Sequence, residues 1–319
     1  MTYISVVIPF RGSEPWIAQC VDSLFVQRYP SWRREFIFVD NGGAAAESRA
    51  VIERHPSVRL LEAPEPGVFA ARNLGVQSAR GEVIAFTDAD CAVAPDWLDS
   101  IAKSMADPAV RMVLGSYRPA RASFATSVLA AYENEKNRYI FGGADERLYH
   151  GYANNMAVRA EVFDEVGPFP LRLRGSDAIL ARKVVARFGR DAVRFAPAMA
   201  VRHLQIRGAL DYYRKEYVHS RSLRALKSVT ELRPLDLHER LDVFSRTVKT
   251  ERKSLAAAGA FFLLLAGGMA VWKAGSLARP QDGEPAAMVG DPTERGAVGR
   301  SAGASPDRSG KNTEWKEAI

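Results

Sequence analysis

The chain has 319 residues, 47% hydrophobic and 25% charged, with a net charge of +7. That is ordinary for a globular enzyme and leaves room for one large or two modest domains. Cys20 and Cys91 are its only cysteines, which excludes a disulfide framework or a Cys-rich zinc site, leaves one disulfide open, and favours a reducing cytosolic setting.

Residues 4–8 (Ile-Ser-Val-Val-Ile) read as a strand entered almost at once, so no cleaved signal peptide is expected. Apolar spacing predicts a helix over 16–27, a strand over 35–39, a helix over 45–54, a strand over 58–61, a helix over 68–78 and a strand over 83–86. Such alternation implies parallel strands joined by right-handed crossovers. Further on, a helix is expected near 97–105, a strand over 110–115, partly helical structure between 123 and 149, and a strand over 154–159. Helices follow over 160–166, 176–188 and 207–227. There is no internal repeat. From residue 278 the Gly/Pro/Ser/Asp-rich tail lacks apolar periodicity and is expected to be disordered.

The strand ending at Phe86 runs into Thr87-Asp88-Ala89-Asp90. Two carboxylates one residue apart cannot both enter the core unpaired. They belong in the crevice beyond the strand ends, where open α/β sheets bind ligands. Oxygen ligands at this spacing suit a hard divalent cation that also holds phosphate oxygens. Asp40 in Asp-Asn-Gly-Gly and Arg72 on a helix opened by Gly67 fall at the same sheet edge; singly they read as an Asx turn and a solvated charge.

Between Arg202 and Lys253 lie 13 Lys/Arg against 7 Asp/Glu, nearly the whole charge imbalance. A basic block points to nucleic acid or an anionic membrane. Residues 254–272 then run without a charge, about the length of a bilayer core, which favours the membrane and no nucleic acid. Arg246, Lys249, Arg252 and Lys253 flank this segment on its N-terminal side, placing the preceding part at the cytoplasmic face of the inner or plasma membrane. The segment reads as a spanning or in-plane membrane helix, with a buried helix of a soluble domain as the alternative. The Tyr- and Arg-rich stretch 207–227 reads either as facing anionic headgroups or as a solvated helical face.

Val6-Val7-Ile8-Pro9, Phe38-Val39-Asp40-Asn41-Gly42, the run Gly67 to Gly75 with Ala71-Arg72-Asn73, and Ala85-Phe86-Thr87-Asp88-Ala89-Asp90 together resemble the family 2 glycosyltransferases. The likeness extends from about residue 3 to 225. It implies the GT-A fold: an α/β architecture with a mostly parallel central sheet flanked by helices, here followed by a membrane-associated helix and a disordered tail. By that resemblance Asp40 and Arg72 contact the nucleotide base, with Pro9, Arg11 and Gly67 alongside. Asp88 lies near the ribose, and Asp90 binds the Mn²⁺ or Mg²⁺ that bridges the diphosphate. His203 falls where related enzymes place a further metal ligand or diphosphate contact; a structural histidine is the alternative.

Ala153 to Arg159 resembles the strand leading to the acceptor region. Gly175-Ser176-Asp177 stands where many members carry Glu-Asp, so one carboxylate remains, as catalytic base, helix N-cap, or both. No Gln-x-x-Arg-Trp motif occurs, as processive synthases carry, so transfer of one sugar per encounter is expected, with inversion. The resemblance divides the chain into a nucleotide-sugar-binding half (1–115), an acceptor half (116–228), a basic linker or amphipathic segment (229–253), the membrane helix (254–272) and the tail (273–319). Its partners would be a nucleotide-diphosphate sugar and a hydroxyl acceptor, lipid-linked or belonging to a cell-surface polysaccharide or glycolipid.

Neither Gly-x-Gly-x-x-Gly after the first strand nor Gly-Lys-Ser/Thr is present, against dinucleotide oxidoreductases and P-loop enzymes. The Gly-rich, Arg-containing loop of sugar nucleotidyltransferases is missing too. A membrane-bound protein that binds nucleotide sugar without transferring it remains the alternative function.

Overall fold

A computed structural model of the chain describes residues 1–11, 15–171, 175–226 and 231–278. Eight strands form one sheet: β1 (Ile4–Phe10), β2 (Arg34–Asp40), β3 (Val58–Glu62), β4 (Val83–Thr87), β5 (Cys91–Val93), β6 (Met112–Arg118), β7 (Asn155–Arg159) and β8 (Val193–His203), in the order β3-β2-β1-β4-β7-β6-β8-β5. The helices are α1 (Ile17–Phe25), α2 (Ala46–Glu53), α3 (Val68–Ser78), α4 (Trp97–Ser104), α5 (Phe124–Gly142), α6 (Ala160–Val166), α7 (Ser176–Phe188), α8 (Ala209–Leu226), α9 (Leu237–Thr250) and α10 (Leu255–Leu277).

Every residue of β1 is buried, as a central strand covered on both faces requires. Successive residues feed opposite layers. Ile4, Val6, Ile8 and Phe10 pack with α1 and α4, whereas Val7 faces the layer containing α3, α5, α6 and α7. Gly75 permits α3 to approach closely, since a Cβ there would lie 2.3 Å from Val7 Cγ1.

The crossovers β1–α1–β2–α2–β3 wind one way, and the chain then returns past β1 to lay down β4 on its other side. This reversal opens a crevice at the carboxyl ends of β1 and β4, the usual ligand position in such sheets. Pro9 pairs with Val39 of β2, but pairing with β4 stops at Val7↔Phe86, so the missing N–H of the proline breaks no ladder on that side.

The expected parallel order holds through β4 and then gives way. β4·β7, β6·β7 and β5·β8 are antiparallel, so the sheet is mixed. The short strand β5 and the long strand β8 escape periodicity. In β8, Pro197 sits in a bulge where the register with β6 jumps from Gly115↔Ala196 to Ser116↔Ala200, and Ser116 Oγ bonds its carbonyl. Asn155 ties this region together: its amide donates to Ser116 and Met199 carbonyls and accepts from Trp97 Nε1 at 2.9 Å.

Where a basic linker or amphipathic segment is expected, α9 forms, started by a capping box between Asp236 and Glu239. The apolar helix α10 runs past the expected boundary at residue 272 to Leu277. It is long and apolar enough to cross a membrane. It lies along α8, with Gly267, Gly268 and Gly275 against Tyr213 and Tyr217. Phe261 is fully buried against Tyr132 and Phe244, while Leu255, Leu263 and Leu277 are exposed. The tail beyond 278 lies outside the described residues.

Candidate active site

At the carboxyl edge of the sheet, β2 delivers Asp40 almost fully buried. Its Oδ1 accepts from the Gly42 and Ala44 amides at 3.0 and 3.1 Å, and its Oδ2 from Arg49 Nη2 at 2.7 Å. The Asx-turn reading is therefore part of its role, and Arg49 is a partner the sequence reading missed. Asn41 Oδ1 accepts from the Gly67 amide at the entrance to α3, which links the second motif to the third. Pro9 is buried in β1, and Arg11 is exposed at its mouth beside residues 12–14, which lie outside the described residues.

Arg72 is no solvated charge. It is 4% exposed; Nη2 donates to Asp88 Oδ1 at 2.6 Å, and the guanidinium sits 5.0 Å from the Phe69 ring centre. An arginine so desolvated gains from a paired carboxylate and a ring face. Arg72, expected at the base, and Asp88, expected near the ribose, thus form one unit.

Sheet register brings together the distant Asp90 and His203. The turn after β4 leads into β5, whose Cys91 pairs with His203 of β8, and the Leu204 amide donates to the Asp90 carbonyl at 2.8 Å. Asp90 Oδ2 and His203 Nε2 are 3.7 Å apart. Ligand atoms of Asp90, Cys91 and His203 all lie within 4.8 Å of one another. Burial pushes the Cys91 thiol well up, and the Asp90 and Asp88 carboxylates add to this, so it stays protonated and is a poor ligand. Burial, helped by Lys215, lowers His203 to about 3, leaving the neutral imidazole that metals bind. Its Nδ1 is buried without a hydrogen-bond partner. A carboxylate with a neutral imidazole fits a divalent cation.

Asp177 occupies the second position of α7, not the cap: Gly175 caps the helix in a left-handed conformation (φ +80°). The Asp177 carboxylate instead accepts from the Ala153 and Ala178 amides, both at 3.0 Å. Gly151 makes room for this approach, because a Cβ there would meet the Asp177 carbonyl oxygen at 2.2 Å. Burial raises the Asp177 carboxyl, Arg72 and the two amides oppose the shift, and Asp88 adds to it. Ser176, in place of a second carboxylate, is buried and donates to the Pro170 carbonyl.

Arg72, Asp88, Asp177 and His203 line one cavity of about 930 Å³. Among the described residues, Pro9, Arg11, Asp40, Gly67 and Asp90 do not line it; Asp90 stands behind His203. The cavity continues between α5, α8, α9 and α10, past Tyr117, Glu133, Glu216, Leu265 and Trp272, a wall the sequence motifs do not announce.

A doubly covered α/β sheet with an acidic turn, a buried arginine paired to a half-buried aspartate and a carboxylate across the cleft defines a protein of the GT-A class. The description "Glycosyl transferase family 2" matches residues 5–167, and the chain belongs to that family. It is 28% identical over 177 residues to the glycosyltransferase AglE of Haloferax volcanii, covering 54% of this chain and 58% of that protein. Over 92 residues it is 35% identical to EpsJ of Bacillus subtilis, described as an uncharacterized glycosyltransferase, covering 27% of this chain and 26% of that one. The chain thus spans under two thirds of either relative. In fold it is similar to the mannosyltransferase PcManGT from Pyrobaculum calidifontis in complex with GDP-Man and Mn²⁺. That likeness has a TM-score of 0.55 and 21% identity over 86% of this chain and 83% of that one.

Proposed function

We propose that the protein is a metal-dependent, inverting glycosyltransferase that moves one sugar from a nucleotide-diphosphate sugar to a hydroxyl acceptor. The observation that carries this is the convergence of Arg72–Asp88, Asp177 and His203 on a single cavity. Arg72 and Asp88, locked together, hold and orient the donor, with Asp40 and the Pro9, Arg11 and Gly67 backbone beside it. Asp177 takes the acceptor hydroxyl proton as that oxygen attacks the anomeric carbon. Its raised pKa makes it a stronger base than a solvated aspartate. Asp90 and His203 would hold Mn²⁺ or Mg²⁺, which when bound neutralises charge growing on the departing diphosphate. The Mn²⁺ in the PcManGT complex supports this. Calorimetry with GDP- and UDP-sugars in Mn²⁺ tests the reading: Asp90→Ala should abolish metal-dependent binding, and unchanged affinity would sink the metal assignment.

The buried Ser176 favours a second reading, a nucleotide-sugar-binding protein without turnover, because the site keeps one carboxylate where many relatives carry two. Hydrolysis and transfer assays with Mn²⁺ or Mg²⁺ discriminate. Binding without turnover across a broad acceptor panel would favour the module.

The acceptor is lipid-linked or otherwise membrane-delivered on this proposal, at the cytoplasmic face. Two features support it. Leu265, Met269 and Trp272 of α10 line the cavity, and the exposed residues of the same helix are apolar up to Lys273. Its packing along the charged helix α8 favours an in-plane position, since spanning would drag Arg214 and Lys215 toward hydrocarbon. Removing residues from Ser254 onward should release the protein from vesicles in a flotation assay. Retention on vesicles at high salt would overturn the anchor.

A further inference from the structure

Beyond Asp177 the cavity holds a second polar cluster that neither the donor motifs nor the metal residues use. Asn137 on α5 is 1% exposed and lines the cavity. Its Nδ2 donates to Tyr152 Oη at 3.2 Å, and its Oδ1 is buried with no partner. An orphaned buried acceptor is costly, so this oxygen is set up for a donor from a ligand. One turn before it, Glu133 accepts from Tyr212 Oη at 3.0 Å and pairs with Lys136. Glu216 on α8 faces the same chamber, as do His150 and His219.

The chemistry of these walls selects the ligand. Burial pushes the Glu216 carboxyl up, and the Glu133 carboxylate adds to the shift. Burial, helped by Lys136, lowers His150 to about 4, so its imidazole is neutral. Of the cations nearby, Lys136 pairs with Glu133 and Arg240 Nε donates to the Leu235 carbonyl, while Lys215 lies over the Tyr117 ring. A phosphate entering between Glu133 and Glu216 would meet their two carboxyl groups. A neutral ligand rich in hydroxyl donors meets instead carboxylate, amide and imidazole acceptors. The rings of Tyr152 and Trp272, which line the cavity, offer apolar surface for its C–H groups.

Building on the transferase reading, we infer that the acceptor is a saccharide whose hydroxyls are held by Glu133, Asn137, Glu216 and His219 in the chamber between α5 and α8. The reacting hydroxyl then points back toward Asp177, and any lipid carrier continues along α10.

The test is saturation-transfer NMR on the detergent-solubilised full chain with Mg²⁺. The probes are methyl glycosides of common hexoses and N-acetylhexosamines, with inorganic phosphate as competitor. At least one glycoside should bind. Its affinity should fall about tenfold in Glu216→Gln and in Asn137→Ala, the cost of roughly one buried hydrogen bond, and phosphate should not displace it. No glycoside binding to the wild type, binding unchanged in both variants, or displacement by phosphate would overturn the subsite. Nucleotide-sugar calorimetry on the same preparations separates the failures. If donor binding persists while glycosides fail, only the saccharide subsite is lost. If the wild type binds no nucleotide sugar, the transferase reading falls and takes the subsite with it.

Discussion

The donor edge and the helical back wall of the cavity are built on opposite plans. At the donor edge, side chains from strand ends pair tightly with groups on α2 and α3, Asp40 with Arg49, Arg72 with Asp88 and Asn41 with the Gly67 amide, and Arg72 Nε and Thr87 Oγ1 are left over. At the back, α5, α8, α9 and α10 turn charged and aromatic side chains into a chamber where Asn137 Oδ1 is left unpaired. A pre-paired surface is rigid and fits a fixed chemical handle, as a nucleotide diphosphate is. A chamber with unmet hydrogen-bonding capacity leaves part of its specificity to whatever enters. Asp177 stands between the two, held by the backbone amides of Ala153 and Ala178.

The largest test of that division is at this boundary. Asp177→Asn should reduce transfer by about 10²–10⁴-fold, the usual contribution of a positioned base, and leave donor affinity unchanged by calorimetry. The amide retains an oxygen to accept one backbone bond, so the fold should persist. Wild-type turnover would remove Asp177 as base and join the two regions into one binding site.

A next step loosens the back wall alone. Phe261 is the anchor of α10, fully buried between Tyr132 and Phe244. Phe261→Ala should cost about 3–5 kcal/mol where the packing is cooperative with the rest of the molecule, read by chemical denaturation. Metal-dependent nucleotide-sugar binding under native conditions should remain. If donor affinity falls in step with stability, the two regions are one cooperative unit and the contrast fails.

The same contrast explains what the sequence disclosed. The donor edge was legible because strand-end motifs are contiguous: Asp40-Asn41-Gly42, Ala71-Arg72-Asn73 and Asp88-Ala89-Asp90 each carry their chemistry within a few residues. Its cross-links were not, since Arg49 on α2 reaches Asp40 only after folding. The approach of His203 to Asp90 depends on a strand disguised by Pro197 and its bulge. On α5, Glu133, Lys136 and Asn137 fall in a stretch that reads only as partly helical, because nothing in a single helix reveals that α8 and α10 lie beside it. The stretch expected to face headgroups or solvent keeps Leu210, Arg214 and Val218 exposed and turns Tyr212, Glu216 and His219 to the cavity. The start of α9 did have a readable sign, the Asp236–Glu239 capping box.

The smallest effect is a shift in pH profile, and it probes coupling across the boundary. Burial raises the Asp177 carboxyl, and the Arg72 guanidinium is the largest influence opposing the rise. A general base works deprotonated, so transfer should fall on acidification through this raised pKa, earlier than for an ordinary aspartate near about 4. Arg72→Gln removes the opposing charge and leaves the Asp88 carboxylate uncompensated. Both changes disfavour a second negative charge nearby, so the acid limb of kcat should move to higher pH. A limb that stays in place would show that Asp177 does not sense the donor pair, and that the donor edge and the chemistry are electrostatically separate. A limb that moves down would reverse the sign and point to another group as the base.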